Sequence, residues 1–309
     1  SPECDFLQLT PANWKEELER FQPELLLIES AWRGKDEQWA NKIGHLSSEL
    51  TSILSWCKEN GVPTAFWNKE DPVHFNSFLN VAKLFDYVFT TDIDCIHLYK
   101  KALNHERVFL LPFAFQPNIT NPIEKFERKN ATCFAGAYYK KYPERIKDLN
   151  MLLDSISSQG DIEIYDRNYG NSDPNYRFPN EYEKYIVGTL PFEKIDLAYK
   201  GYFRGLNLNT IKQSQTMFAR RVFELVASNT LVVSNYSRGV KNFFGDLVVS
   251  SDNAREITTQ LAKINSTKYL EQKIRSNALR KVLREHTYED RFCHIVSKIT
   301  DSYHELPPP

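Results

Sequence analysis

The sequence predicts an α/β protein made of two successive halves and a helical tail, and three observations carry that prediction. Short continuous apolar runs, of the kind found in parallel strands buried on both faces, alternate with stretches of helical period in each half. Pro112 to Lys129, with three prolines and mixed charge, interrupts the alternation and reads as a linker. From Asn253 almost to Tyr303 the pattern is helical. At 309 residues the chain is long enough for two domains, each burying its own core.

In the first half, Thr10-Pro11-Ala12-Asn13 is a start signal for an amphipathic helix running to Phe21. Pro23 to Ile28 reads as the first buried strand and ends in the polar and aromatic loop Glu29 to Gly34. A helix from Leu46 to Glu59 leads through Asn60-Gly61 to a strand at Pro63 to Trp67, followed by Asn68-Lys69-Glu70-Asp71-Pro72. Phe75 to Leu84 is helical and Tyr87 to Thr90 is a third strand. Thr91-Asp92-Ile93-Asp94 then caps a helix through Leu103, and Val108 to Leu111 is a fourth strand.

The second half starts again with a strand at Ala131 to Ala135, then Gly136-Ala137-Tyr138-Tyr139 and a helix from Pro143 to Ser157. Proline suits its opening turn, where no N–H is needed. Ile162 to Tyr165 and Tyr185 to Val187 read as strands around a polar loop from Arg167 to Glu181, whose stretch Asn168 to Asn180 is either a lid or an exposed insertion. Phe192 to Lys200 is helical. The stretch from Gly205 to Gly245 organises this half. It opens with Leu206-Asn207-Leu208-Asn209, a strand ending in amide groups, and continues as a helix. Met217, Arg221, Glu224 and Ser228 line one face of that helix, beside an apolar stripe of Phe218, Val222, Leu225 and Val226. A strand at Thr230 to Ser234, a helix over Tyr236 to Phe244 and a strand at Asp246 to Ser250 complete the set.

Open α/β sheets bind phosphorylated ligands where helices begin beyond the carboxyl ends of strands, so Arg221 and Glu224 are expected to hold a nucleotide. The plainer alternative is a solvated ion pair between them at i, i+3, worth only ~0.2–0.5 kcal/mol.

Bulk composition excludes several classes. With 39 basic against 40 acidic side chains, nothing favours a nucleic-acid or anionic-membrane partner. No apolar run is long enough for a transmembrane segment, and the start SPECDFLQLTP lacks a basic stretch followed by an apolar one, so a cytoplasmic protein is expected. Cys4, Cys57, Cys95, Cys133 and Cys293 are odd in number and scattered, as befits reduced thiols rather than a zinc site.

Arg221-Val222-Phe223-Glu224-Leu225-Val226-Ala227, followed by Leu231-Val232-Val233-Ser234 and Gly239, resembles the RxFExxA…S signature of CgeB-like glycosyltransferases. Phe134-Ala135-Gly136 with Pro143 and Arg145, Gly188-Thr189-Leu190-Pro191, Leu206-Asn207-Leu208-Asn209 and His286-Thr287-Tyr288-Glu289-Asp290-Arg291 stand in the matching order. So do Trp67 to Pro72 and Phe85 to Asp92 in the first half. The resemblance implies a GT-B fold: two Rossmann-like domains with a cleft between them. These would be an acceptor-side domain at 1–125 and a nucleotide-sugar domain at 126–270, with helices at 271–309 packing back towards the first. It implies transfer of a sugar from a UDP-, GDP-, TDP- or CDP-linked donor to a saccharide, lipid-linked or protein acceptor, in bacterial surface polysaccharide or glycoconjugate synthesis. Two departures stand out. Thr216 occupies a position where many GT-B enzymes carry a sugar-contacting glutamate, which leaves sugar and stereochemistry open, and Asn229 replaces a usual glycine. The early first strand fits a trimmed start or one module of a larger enzyme.

On this reading Gly136, Arg145, Asn209, Arg221 and Glu224 bind the donor, aided by a helix N-terminus around Ser214 to Thr216. Arg220 is a surface charge or a phosphate reserve. No DxD motif falls in a suitable loop of the second half, since Asp92-Ile93-Asp94 reads as a helix cap, so cationic side chains rather than a metal ion are expected to take the leaving-group charge. Asp71, Glu29 and His74 are the candidates for the base that activates the acceptor, because each lies at or just after a strand end. Each has a duller role open to it: capping for Glu29, helix initiation for Asp71 and ordinary packing for His74. Trp32, Trp67 and Tyr138 are stacking candidates that serve equally well as core. The rival functions are transfer of a CDP-linked polyol phosphate in capsule or wall synthesis, and a non-catalytic module that keeps the fold.

Overall fold

A computed structural model describes residues 4–304, which form two compact units. The first unit holds the residues up to Phe113 together with those from Arg291 onward; the second runs from Ala114 to Asp290.

In unit 1, strands β1 (Leu26–Glu29), β2 (Thr64–Asn68), β3 (Tyr87–Thr90) and β4 (Val108–Leu110) lie side by side in chain order, all parallel. Helices α1 (Trp14–Phe21), α2 (Ser48–Glu59), α3 (Phe75–Ala82) and α4 (Ile96–Leu103) alternate with them. Every residue of β2 is buried, which is why its sequence is continuous rather than alternating. Phe66, Phe78, Val88 and Tyr99 form the core. Asp92 caps the turn before α4, its carboxylate accepting a hydrogen bond from the Asp94 amide at 2.7 Å.

Unit 2 contains β5 (Lys129–Gly136), α5 (Pro143–Ser157), β6 (Asp161–Asp166), α6 (Asn180–Glu183), β7 (Ile186–Gly188), α7 (Ile195–Lys200) and β8 (Tyr202–Asn207). They are followed by α8 (Arg221–Ala227), β9 (Leu231–Ser234), α9 (Arg238–Phe244), β10 (Val249–Ser250), α10 (Ala254–Ser266) and α11 (Leu270–Glu285). The helix α12 (Tyr288–His304) starts here and from Arg291 belongs to unit 1, where the Arg291 guanidinium donates to the carbonyls of Pro112 and Phe113 at 2.9 and 3.0 Å.

All six strands are parallel, in the order β10-β9-β8-β5-β6-β7. Counted within the unit this is the doubly wound 3-2-1-4-5-6 order read from its far edge, with the switch of direction between β5 and β8. Phe134, Leu153, Ile164, Leu206 and Val233 fill its core. Strand β8 lies so close to α8 that a Cβ built on Gly205 would stand 2.6 Å from Leu225 Cδ2. Gly205→Ala is therefore expected to cost about 1–3 kcal/mol through overpacking. Circular dichroism during urea unfolding would read this out, and an unshifted midpoint would mean that the helix gives way freely.

The structure departs from the sequence expectation most at the entry to α8. The strand expected at Leu206 to Asn209 begins at Tyr202 and ends at Asn207, and helix starts only at Arg221, with Met217 and Phe218 outside it. The reason is local competition for backbone donors. Ser214 Oγ accepts from the Met217 amide at 2.9 Å, and Asn209 Oδ1 accepts from the Ala219 amide at 2.9 Å. The helix N-terminus expected around Ser214 to Thr216 is thus absent. The strand expected at Asp246 to Ser250 shrinks to β10, because Gly245–Leu247 is a single 3-10 turn.

Candidate functional site

The strand order directs attention to the carboxyl ends of β5 and β8, the place where a doubly wound sheet leaves a crevice. Arg145 lies in the first turn of α5, reached from β5, and Arg221 opens α8, reached from β8. Arg145 Nη1 and Arg221 Nε are buried and have no hydrogen-bond partner among the described residues. The Arg145 guanidinium sits 5.8 Å from the centre of the Tyr139 ring. Burial first, then the nearby charges of Arg221 and Arg167, hold its pKa below the ordinary arginine value. Like charges gathered with unsatisfied N–H groups are costly in an empty protein and become favourable once an anion arrives.

Glu224 follows one turn into α8. Its Oε1 pairs with Arg220 Nε at 2.8 Å and its Oε2 accepts from the Tyr199 hydroxyl at 3.0 Å. The i, i+3 pair considered from sequence is therefore replaced by an i, i+4 pair from the neighbouring arginine. That exchange gives Arg220 a partner and leaves Arg221 out of the pair.

Asn209 has a structural part. Its backbone amide donates to Asn235 Oδ1 at 2.8 Å, its Nδ2 to Ser234 Oγ at 3.0 Å, and its Oδ1 holds Ala219. This buried knot fixes the loop that delivers Arg220 and Arg221. Gly136 closes β5, and its missing side chain is filled by the Phe134 ring, while its carbonyl accepts from the Arg167 amide at 2.8 Å. Packing thus explains that glycine.

In unit 1, Asp71 is fully buried. Its Oδ1 accepts from Asn68 Nδ2 at 2.8 Å and from the Tyr99 hydroxyl at 3.3 Å, and its Oδ2 from the Thr90 hydroxyl at 2.6 Å. Burial pushes its pKa up to about 7. A carboxyl so enclosed braces the loop after β2. Glu29 and His74 are more accessible: Glu29 is exposed and pairs with Lys69 at 2.6 Å, and the half-buried His74 ring meets the edge of Trp32 at 4.9 Å. Of the aromatic candidates, Trp67 and Tyr138 are core, with Trp67 Nε1 donating to the Leu111 carbonyl at 3.0 Å, whereas Trp32 is 45% exposed.

Sequence reasoning missed Tyr199 and Arg167. A tyrosine in the apolar run Leu197-Ala198-Tyr199 must find a partner for its hydroxyl, and that signal was available. Two hollows of about 360 and 520 Å³ lie at the opposite end of the strands, by Asn130, Arg204 and Glu271 and by Lys129, Asp161 and Glu163. Arg204 there is already paired with Glu271 at 2.6 Å, and these hollows adjoin the amino ends of strands, so neither is the candidate site. Among the described residues no three His, Cys, Asp or Glu side chains are grouped to share a metal ion, and no helix is long and apolar enough to cross a membrane.

Residues 148–297 match the family model described as "Glycosyl transferase-like". The alpha,alpha-trehalose-phosphate synthase (UDP-forming) of Burkholderia vietnamiensis superposes with a TM-score of 0.57 at 11% identity, over 96% of this chain and 78% of that one. The Escherichia coli structure of trehalose-6-phosphate bound with UDP-2-fluoro glucose gives a TM-score of 0.56 at 11% identity, over 93% of this chain and 76% of that one. The likeness to these structures shows the GT-B fold, and the family model adds a similarity to glycosyltransferases over residues 148–297. The chain is also similar to the spore protein CgeB of Bacillus subtilis, at 20% identity over 184 residues, 56% of each chain. The match thus spans little more than half the length of that curated relative.

Proposed function

We propose that this chain transfers a sugar from a nucleoside-diphosphate donor held by unit 2 to an acceptor hydroxyl presented on unit 1. The observation that carries this reading is the pair of half-buried arginines flanking the switch point of a doubly wound sheet, each with a buried nitrogen lacking a hydrogen-bond partner among the described residues, with Glu224 one turn beyond. Arg145 and Arg221 bind the diphosphate and stabilise the charge that grows on it as the glycosidic bond breaks, which is the work a metal ion would otherwise do. Glu224 accepts from the ribose hydroxyls, as a carboxylate does in dinucleotide sites. Glu29 or His74 takes the acceptor proton, since both reach solvent and Asp71 does not. Saccharide, lipid-linked and protein acceptors all satisfy this chemistry.

Calorimetry with UDP, GDP, CDP and TDP tests the donor half. One diphosphate is expected to bind, and Glu224→Ala is expected to weaken it about tenfold, the worth of one charge-assisted hydrogen bond lost. Binding of none of the four would favour a non-catalytic module, and consumption of a CDP-linked polyol in donor screening would favour polyol-phosphate transfer. Turnover that survives EDTA would support the metal-independent route; loss restored by a divalent cation would refute it.

A further inference from the structure

We propose that Tyr199 is a positioning residue of the donor site, setting Glu224 for the ribose. The inference rests on the donor-site reading above and adds a group outside the resemblance. Tyr199 lies in α7 and is 7% exposed, so its hydroxyl must find its partners inside the protein. It donates to Glu224 Oε2 at 3.0 Å. Arg221 lies beside the same hydroxyl, near enough to draw the phenol pKa down against the rise that burial imposes.

A phenol has one proton to give, and Tyr199 gives it to the Glu224 carboxylate without bringing a charge into the site. Glu224 is fixed by one contact on each oxygen, Arg220 on Oε1 and Tyr199 on Oε2, leaving capacity on both oxygens for two vicinal hydroxyls. Held in this way, the carboxylate does not have to be ordered when the nucleotide arrives.

The experiment compares UDP with 2′-deoxy-UDP by calorimetry on the full chain, in the wild type, Tyr199→Phe, Glu224→Ala and the double variant. The wild type is expected to prefer UDP about tenfold, one hydrogen bond's worth. Tyr199→Phe is expected to cut that preference to about twofold while still binding the diphosphate, and to change nothing further in the Glu224→Ala background. A Tyr199→Phe protein that binds both ligands more weakly by the same factor, or that keeps the wild-type ratio, would overturn the positioning role, because a merely structural tyrosine would leave the ratio alone. If Glu224→Ala itself keeps the full preference, or the wild type binds none of UDP, GDP, CDP and TDP, the donor-site reading fails first and this inference falls with it; a wild type that binds GDP or CDP in place of UDP is compared with the 2′-deoxy form of that diphosphate.

Discussion

Arg145→Ala and Arg221→Ala are each expected to weaken nucleoside-diphosphate binding by about 10- to 100-fold while leaving the affinity for the bare nucleoside unchanged. Each arginine offers charge-assisted hydrogen bonds, worth about 1.5–3 kcal/mol apiece, and its partly buried setting limits screening by salt. The two sites are coupled, since the charge of Arg221 already bears on Arg145, so the double variant should lose less than the sum. The empty protein should respond in the opposite sense. Removing one of several like charges relieves repulsion and an unsatisfied buried N–H, so Arg145→Ala is expected to unfold at a higher temperature than the wild type in the absence of ligand. Arg145→Lys should restore only part of the affinity, because an ammonium lacks the planar fork that grips two oxygens. Parallel calorimetry with the diphosphate and its nucleoside, plus a thermal scan, checks all of this. Equal losses for both ligands would move the arginines away from the phosphates.

How much of this was legible in the sequence depends on how local the cause was. The helix α5 runs from Pro143 to Ser157 as expected, because its start proline and its period both lie within the segment. β2 and β3 were equally plain, being buried on both faces and bounded by polar loops. The entry to α8 was not legible, since its course is decided by Asn209 reaching ten residues forward to Ala219. The placing of β8 beside β5 is a long-range choice that no period encodes, yet it is what brings the helices carrying Arg145 and Arg221 to one switch point. The same limit applied to Asp71. Its position after a strand was readable, but its enclosure by Thr90 and Tyr99 came from elements 19 and 28 residues away.

Asp71→Asn is expected to make unit 1 more stable than the wild type at pH 8 and equal to it near pH 4. Burial raises the carboxyl from 3.8 to about 7, its hydrogen bonds from Thr90 and Tyr99 opposing the rise and the charges of Asp92 and Glu70 adding to it. Below pH 4 the folded and unfolded chains both hold the proton, and this contribution is fully present. Between pH 4 and 7 the unfolded chain ionises while the native one does not, so stability falls by about 1.4 kcal/mol per pH unit, about 4 kcal/mol in all; above 7 it falls no further. An amide at this position mimics the neutral acid. Its oxygen still accepts from Asn68, and its NH₂ can donate to Thr90 Oγ1, whose own proton can turn to the Asp92 carbonyl at 3.4 Å. Asp71→Ala, by contrast, removes the acceptor of three hydrogen bonds and is expected to cost about 3 kcal/mol near pH 4, where the wild-type carboxyl is neutral. All five tryptophans, Trp14, Trp32, Trp39, Trp56 and Trp67, lie in unit 1, so fluorescence during urea unfolding from pH 4 to 8 reports on this unit. A wild-type profile that is flat over that range would refute the raised carboxyl. Turnover by Asp71→Asn then separates the two roles: retained activity leaves Asp71 a brace for the β2 loop, and activity lost from a fully folded protein would make it the acceptor's base after all.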